Sequence, residues 1–307
     1  MTFGRKWIRE DQAMNIDTLL PQLFNGIQFG VLMALLATGL SLIFGMLGIV
    51  NFAHGSLYML GAYFVWTFMW LLDTPGKFWV ALCLSFLALG VIGLIVERYL
   101  LKPMFGQPPV YQILITFGLM LVVQQGVALI YGTAPLPLGI PPHFGGEVSL
   151  GLIHYPTYRL FTMILGLMVI FTIWVFVERS SFGAVIRASA EDSETARTLG
   201  INTRRVYTWT FVLGCGLAGL GGGLHAPLIG GLQHPIGTEI LLINFIIVVI
   251  GGMGSIRGAL LGGIILGVIR GLAGVFWAPA SDFVMFVAMG IILLLRPQGL
   301  FGKGAIG

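Results

Sequence analysis

The sequence predicts an all-α, polytopic membrane protein: a transmembrane bundle of about 8–10 helices, one of them broken, with a short helix in a cytoplasmic loop. Three observations carry this. Of 307 residues, 57% are apolar and only 9% carry a charge, against about 25% charged in soluble domains. That leaves too few charges for a water-facing surface, and it excludes intrinsic disorder, which needs low hydrophobicity and high charge. Charge-free stretches recur along the chain, and residues 18–72 contain no Asp, Glu, Lys or Arg. The apolar runs are continuous rather than alternating, which separates helices from the strands of a membrane barrel.

A bilayer core takes roughly 20 helical residues, and the charge-free runs place helices at 19–40, 55–72, 79–97, 111–131, 159–177, 206–226, 240–256, 259–276 and 283–295. Residues 1–17 form a polar N-terminal segment, 18–300 the transmembrane domain and 301–307 a C-terminal tail. No short apolar core precedes a small-residue cleavage site, so no secretory signal is expected. Cys83 and Cys215 both sit in apolar stretches and read as small buried residues, not a disulfide or a metal pair.

Basic residues orient the bundle. Arg98 and Lys102 mark one cytoplasmic loop, five arginines mark 178–205 as another, and Arg296 and Lys303 place the C-terminus inside. Residues 132–158 and 227–239 are poor in Lys and Arg and read as external. The net charge of +4 then reflects topology and not nucleic-acid binding. Nine helices with the C-terminus inside put the N-terminus outside, against Arg5, Lys6 and Arg9. An additional short or broken helix within 41–52 resolves this, because Gly45, Gly48, Asn51 and Gly55 interrupt the apolar stretch there. Met14, before Asn-Ile-Asp, is an alternative start that removes those basic residues.

Many of the 45 glycines recur four apart, as Gly258/Gly262 and Gly263/Gly267/Gly271 do. This spacing lets helix backbones approach closely. Gly221, Gly222 and Gly223 before Pro227 are the best hinge candidates, with packing as the alternative. No phosphate-cradling GxxxxGK[ST] occurs, so ATP, if used, binds to another chain.

Asn51, His54 and Ser56 lie inside the longest uncharged stretch. Polar groups at membrane depth usually face a bundle interior or a wet cavity, and flanking glycines permit unwinding where it lines such a cavity. Two readings stand: these residues line a solute path, or they hydrogen-bond locally and fix packing. Gln28, Gln124, Gln125 and Asn244 lie within other spans and admit the same two readings. Arg270 either snorkels or pairs with Asp282. His225 and His234 have no ligand partners at metal spacing.

The loop 178–205 is the one long polar stretch. A helix is expected over 192–199, capped by Asp192 or Ser193, with Glu194 in its first turn and Arg197 in its last. Gly200 supplies a left-handed stop. Ala196 and Leu199, three apart, share a small apolar face suited to a groove on a soluble partner. A solvated loop that only sets topology is the alternative.

The run from Leu23, LFNGIQFGVLMALLATGLSLIFGMLGIVNFAHGSLYMLGAY, resembles the permeases of branched-chain amino acid ABC importers. So do FGAVIRASAEDSETARTLGINTRRVYTWTF from Phe182 and INFIIVVIGGMGSIRGALLGGIILG from Ile243. The resemblance runs from about residue 20 to the RPQGLFG near the C-terminus. It implies a subunit of the bacterial inner membrane that pairs with a second, homologous permease. It also implies two cytoplasmic ATPase subunits, which would hold the ATP and magnesium, and a periplasmic solute-binding protein. Lipid surrounds such a chain, which carries no cofactor or metal and catalyses no covalent chemistry. By the resemblance, Glu191, Glu194, Ala196, Leu199, Gly200 and Ile201 form the coupling element that touches an ATPase, and Asn51 and His54 lie near the path. Several members have Glu where this chain has Ser56, which leaves branched-chain or other amino acids, urea and short-chain amides all open as solutes. A stand-alone carrier or channel and a non-transporting scaffold are the rival readings.

Overall fold

A computed structural model describes residues 16–48, 51–151 and 153–302. The described residues form eleven α-helices and one two-stranded hairpin. The helices are α1 (Ile16–Leu47), α2 (His54–Leu71), α3 (Lys77–Val96), α4 (Pro109–Tyr131), α5 (Thr157–Arg179), α6 (Ser181–Glu191), α7 (Ser193–Thr198), α8 (Thr203–Ile229), α9 (Ile236–Gly251), α10 (Ile256–Trp277) and α11 (Ser281–Leu295). By length and composition α1, α3, α4, α5, α8 and α10 are able to cross a membrane, while α9 and α11 are shorter apolar helices. The result is a polytopic helical bundle.

The hairpin, β1 (Glu147–Ser149) and β2 (His154–Pro156), is antiparallel and lies in the 132–158 connection read as external. Leu136 and Leu232 exchange backbone hydrogen bonds at 3.0 and 2.8 Å, joining the two connections read as external. α3 continues through a π-helical turn, Glu97–Leu101, so its backbone stays satisfied past the expected end. That turn buries the Glu97 carboxylate.

The direction of α1 settles the parity question for the described residues. Met46, near its C-terminal end, packs with Ile186 of α6 and Val206 of α8. Asn25, near its start, is bonded to Tyr155 and Arg159 beside the hairpin. α1 thus begins at the end opposite the 178–205 loop. The basic connections gather at the loop end. There Phe105 meets Tyr207 edge-on at 5.7 Å, and Arg187 and Arg257 each approach Glu178 at 4.0 Å. Leu300 and Phe301 donate to the Ile250 and Gly251 carbonyls.

The additional helix expected within 41–52 is absent among the described residues. α1 continues to Leu47, Gly48 ends it at φ 69°, and α2 begins at His54. Gly45 does not break the helix. It packs against Gly254, where an added methyl would lie 3.2 Å from the Gly254 Cα. Residues 49 and 50, Arg5, Lys6, Arg9, Met14 and Lys303 lie outside the described residues.

The glycine spacing resolves as a seam between α1 and α10. A methyl on Gly30 would lie 2.5 Å from the Gly263 carbonyl oxygen, and one on Gly263 2.6 Å from the Gly30 oxygen. Lipid removes the hydrophobic drive between helices, so such backbone approach is a main source of association. Gly221–Gly223, weighed as hinge or packing positions, are packed in this conformation. α8 runs unbroken through them and through Pro227, and Gly223 abuts Val65 and Leu82. Cys215 is buried, but Cys83 is exposed on the bundle surface. An apolar stretch in a membrane helix need not face the bundle interior, since lipid accepts it equally.

Candidate functional site

α1, α5, α8, α10 and α11 enclose a cavity of about 420 Å³ at the hairpin end, lined by Asn25, Gln28, Arg159, His225, Arg270 and Ser281 among others. A neighbouring cavity of about 410 Å³ shares Phe29, His225 and Arg270 and adds Glu239 and Asp282. Arg159, in the first turn of α5, donates from Nη1 to Asn25 Oδ1 at 2.6 Å, and the Tyr155 hydroxyl donates to the same oxygen at 3.3 Å. One turn deeper, Gln28 Nε2 donates to Thr162 Oγ1 at 3.2 Å. Opposite, Arg270 Nε donates to Asp282 Oδ1 at 2.7 Å, and its guanidinium lies 4.3 Å from the Phe29 ring centre. Of the two alternatives for Arg270, the pair is the one present. The Tyr58 hydroxyl contacts His225 Nδ1.

Of the residues assigned to a path, Gln28 lines this cavity. Asn51, His54, Ser56 and Asn244 are buried elsewhere and line neither cavity. Asn51 Oδ1 accepts from the Ala53 amide at 3.1 Å, just ahead of α2. His54 Nε2 lies 3.2 Å from the Leu36 carbonyl oxygen. Ser56 Oγ donates to the Met120 carbonyl at 3.3 Å, and Asn244 Nδ2 donates to that of Ile240 at 3.0 Å. Gln124 Oε1 accepts from Thr238 Oγ1 at 3.3 Å, across α4 and α9.

Sequence reasoning missed Asn25, Arg159 and Glu239 as cavity residues and weighed His225 only as a metal ligand. One signal was legible: Asn25 and Gln28 are three apart on a helix in an uncharged stretch. Among the described residues no group of three or more His, Cys, Asp or Glu side chains is arranged to hold a metal.

The loop end is built differently. Ser180 caps α6, its Oγ accepting from the Gly183 amide at 2.9 Å. Asp192 caps α7, accepting from the Glu194 and Thr195 amides at 2.9 and 3.0 Å and from the Thr195 hydroxyl. The Thr195 bonds and then the Glu194 bond hold the Asp192 carboxyl below the ordinary aspartate range. Gly200, at φ 84°, closes α7. Its amide donates to Arg197 O and the Ile201 amide to Ala196 O, both at 3.0 Å, which is the Schellman pattern. Arg197 Nε donates to Thr203 Oγ1 at 2.9 Å and ties α7 to α8.

The shared apolar face expected of Ala196 and Leu199 is not present. Ala196 is turned into the protein, 2% exposed, whereas Leu199 is 76% exposed. The Schellman reversal brings Ile201 beside Met46, Ile186 and Val206. Glu191, Glu194 and Gly200 are exposed.

The family described as branched-chain amino acid transport system, permease component, matches residues 22–295. The chain belongs to this family. It is 32% identical to the high-affinity branched-chain amino acid transport system permease protein BraD of Pseudomonas aeruginosa, covering 92% of this chain and 96% of that one. It is 31% identical to the permease protein LivH of Escherichia coli K12, with the same coverage. It is also 28% identical to the permease protein LivM of the same strain, over 87% of this chain and 67% of that one. No solved structure matches.

The matched span of this permease begins at Gln22, a cavity residue, and ends at the close of α11. It therefore takes in the cavity, the glycine seam and the loop helix together. The chain is a multi-pass membrane protein of the ABC transporter permease class, and its relatives are transport subunits, not enzymes. The E. coli strain carries two permease proteins of this description, both similar to this chain.

Proposed function

We propose that this chain is a permease subunit of an ATP-driven importer that moves branched-chain or other amino acids across the bacterial inner membrane. The loop 178–205 and the C-terminus face the cytoplasm. A solute-binding protein docks at the hairpin end, a second permease completes the path, and two ATPase subunits engage the loop. ATP and magnesium belong to those ATPases. Transport is by alternating access, with motion of the ATPases passing through α7.

The observation that carries this reading is the connection of α7 to the bundle. Arg197 of α7 is bonded to Thr203 of α8, and Ile201, just past α7, packs with Met46 of α1, Ile186 of α6 and Val206 of α8; α1 and α8 also line the cavity at the far end. A displacement of α7 is therefore delivered to the helices that bound the cavity, as rigid elements carry coupling.

The test is uptake of labelled leucine into vesicles holding the purified assembly, with ATP supplied on the α7 side. Uptake that follows ATP hydrolysis supports the reading; uptake that follows a proton or sodium gradient contradicts it. That second result would favour a stand-alone carrier, a reading for which the Arg270–Asp282 pair beside the cavity is the best support, since ion-coupled carriers use intramembrane charges. Urea and acetamide belong in the same assay, because Asn25 and Gln28 offer amide groups suited to them.

A further inference from the structure

We propose that Arg159, with Asn25 and Gln28, forms a carboxylate-binding vestibule through which the solute passes. The inference rests on the importer reading and adds the chemistry by which this chain itself recognises the solute. Arg159 is half-buried at the cavity wall. Among the described residues it has no carboxylate partner: it donates to the neutral Asn25 Oδ1 and also contacts the Tyr155 hydroxyl. These two neutral contacts leave further N–H donors over, out of the five that a guanidinium carries.

A guanidinium is a planar fork matched to a carboxylate, and this one stands at a cavity wall with no acidic partner among the described residues. Arg270 differs, because Asp282 already neutralises it. The first cavity therefore carries one uncompensated positive charge, while Glu239 and Asp282 give the adjoining cavity its carboxylates. A zwitterion entering here meets guanidinium and amide donors on one side and acidic groups on the other. Phe29 and Leu228 supply apolar wall. The ligand class is a small carboxylate with an apolar body, of which a free α-amino acid is one.

The structural alternative is that Arg159 only staples α5 to α1. Thiol accessibility separates the two. Ser281, which lines the cavity, is replaced by Cys in the full assembly carrying Cys83→Ala, with the buried Cys215 left in place. Reaction with an anionic methanethiosulfonate is expected to be about tenfold faster than with a cationic one. Leucine and 4-methylpentanoate are expected to slow it, and leucinamide, which lacks the carboxylate, is not. Arg159→Gln abolishes the preference and the protection, and Arg159→Lys keeps the preference. Equal rates with the two reagents, equal protection by leucinamide, or protection that survives Arg159→Gln overturns the proposal. The wild-type arms decide it even if Arg159→Gln fails to assemble. Protection without ATP-driven leucine uptake would overturn the importer reading alone, and ATP-driven uptake without protection would overturn the vestibule alone.

Discussion

The Ile201 amide donates to the Ala196 carbonyl at 3.0 Å, part of the reversal that brings Ile201 against Met46, Ile186 and Val206. Ala196 thereby faces inward and Leu199 faces out. Leu199, the residue just past α7, is exposed, and Glu191 and Glu194 are exposed near it.

Gly200 sits at φ 84° with open space around it, so its cost to other residues is backbone strain alone. Gly200→Ala is expected to cost about 1 kcal/mol of local stability and to lower ATP-driven uptake with assembly intact. Gly200→Asn, which tolerates the left-handed region better, should retain more uptake. Amide exchange over residues 193–201 reads the loop, and vesicle uptake reads the consequence.

Leu199→Glu should leave the permease folded, because the side chain is exposed and supports no core, while reducing ATPase co-purification at least several-fold. Ala196→Trp should damage the loop itself. A normal ATPase yield with Leu199→Glu would remove α7 from the contact.

The Asp192 cap sets a pH dependence. Its folded carboxyl titrates below the ordinary aspartate value. The cap's stabilisation is therefore fully present above the unfolded value of about 3.9 and is lost as pH falls through the lower folded value. Exchange at the Glu194 and Thr195 amides should not vary through cap ionisation from about pH 5 to about pH 8. Asp192→Asn should keep most of the cap, and Asp192→Ala should speed exchange at those two amides.

The α1–α10 seam has no room for side chains. Gly263→Leu is expected to prevent close approach to Gly30 and Ala34, with overpacking of about 1–3 kcal/mol or more. The measurement is the melting temperature in detergent, with Gly274→Ala, which meets open space, as the silent control.

His54 is buried against the Leu36 carbonyl, joining α2 to α1. His54→Leu should lower thermal stability while leaving the KM for leucine unchanged. A stable variant with an altered KM would return His54 to the solute path.

Most of the bundle was legible because charge-free runs and membrane thickness are both one-dimensional quantities. The loop helix was legible too, since Asp192 and Gly200 each have a local conformational role that sequence spacing exposes. The junction near residue 48 was misread because Gly45 and Gly48 are the same residue type. One fits a close helix contact and the other a left-handed turn, and only the position of Gly254 tells them apart. The cavity was not legible as a whole. It joins Asn25, Arg159, His225 and Arg270, which are far apart in sequence, through pairings that no periodicity encodes. Ala196 and Leu199 illustrate the same limit, since a shared helix face in sequence became two opposite faces once the chain reversed beneath it.

The most direct measurement is purification from native membranes in a mild detergent, with mass spectrometry of the chains that co-elute. The account predicts a second permease and ATPase chains, with the ATPases lost from a Leu199→Glu preparation. A lone chain or a homo-oligomer that moves solute without ATP would contradict it.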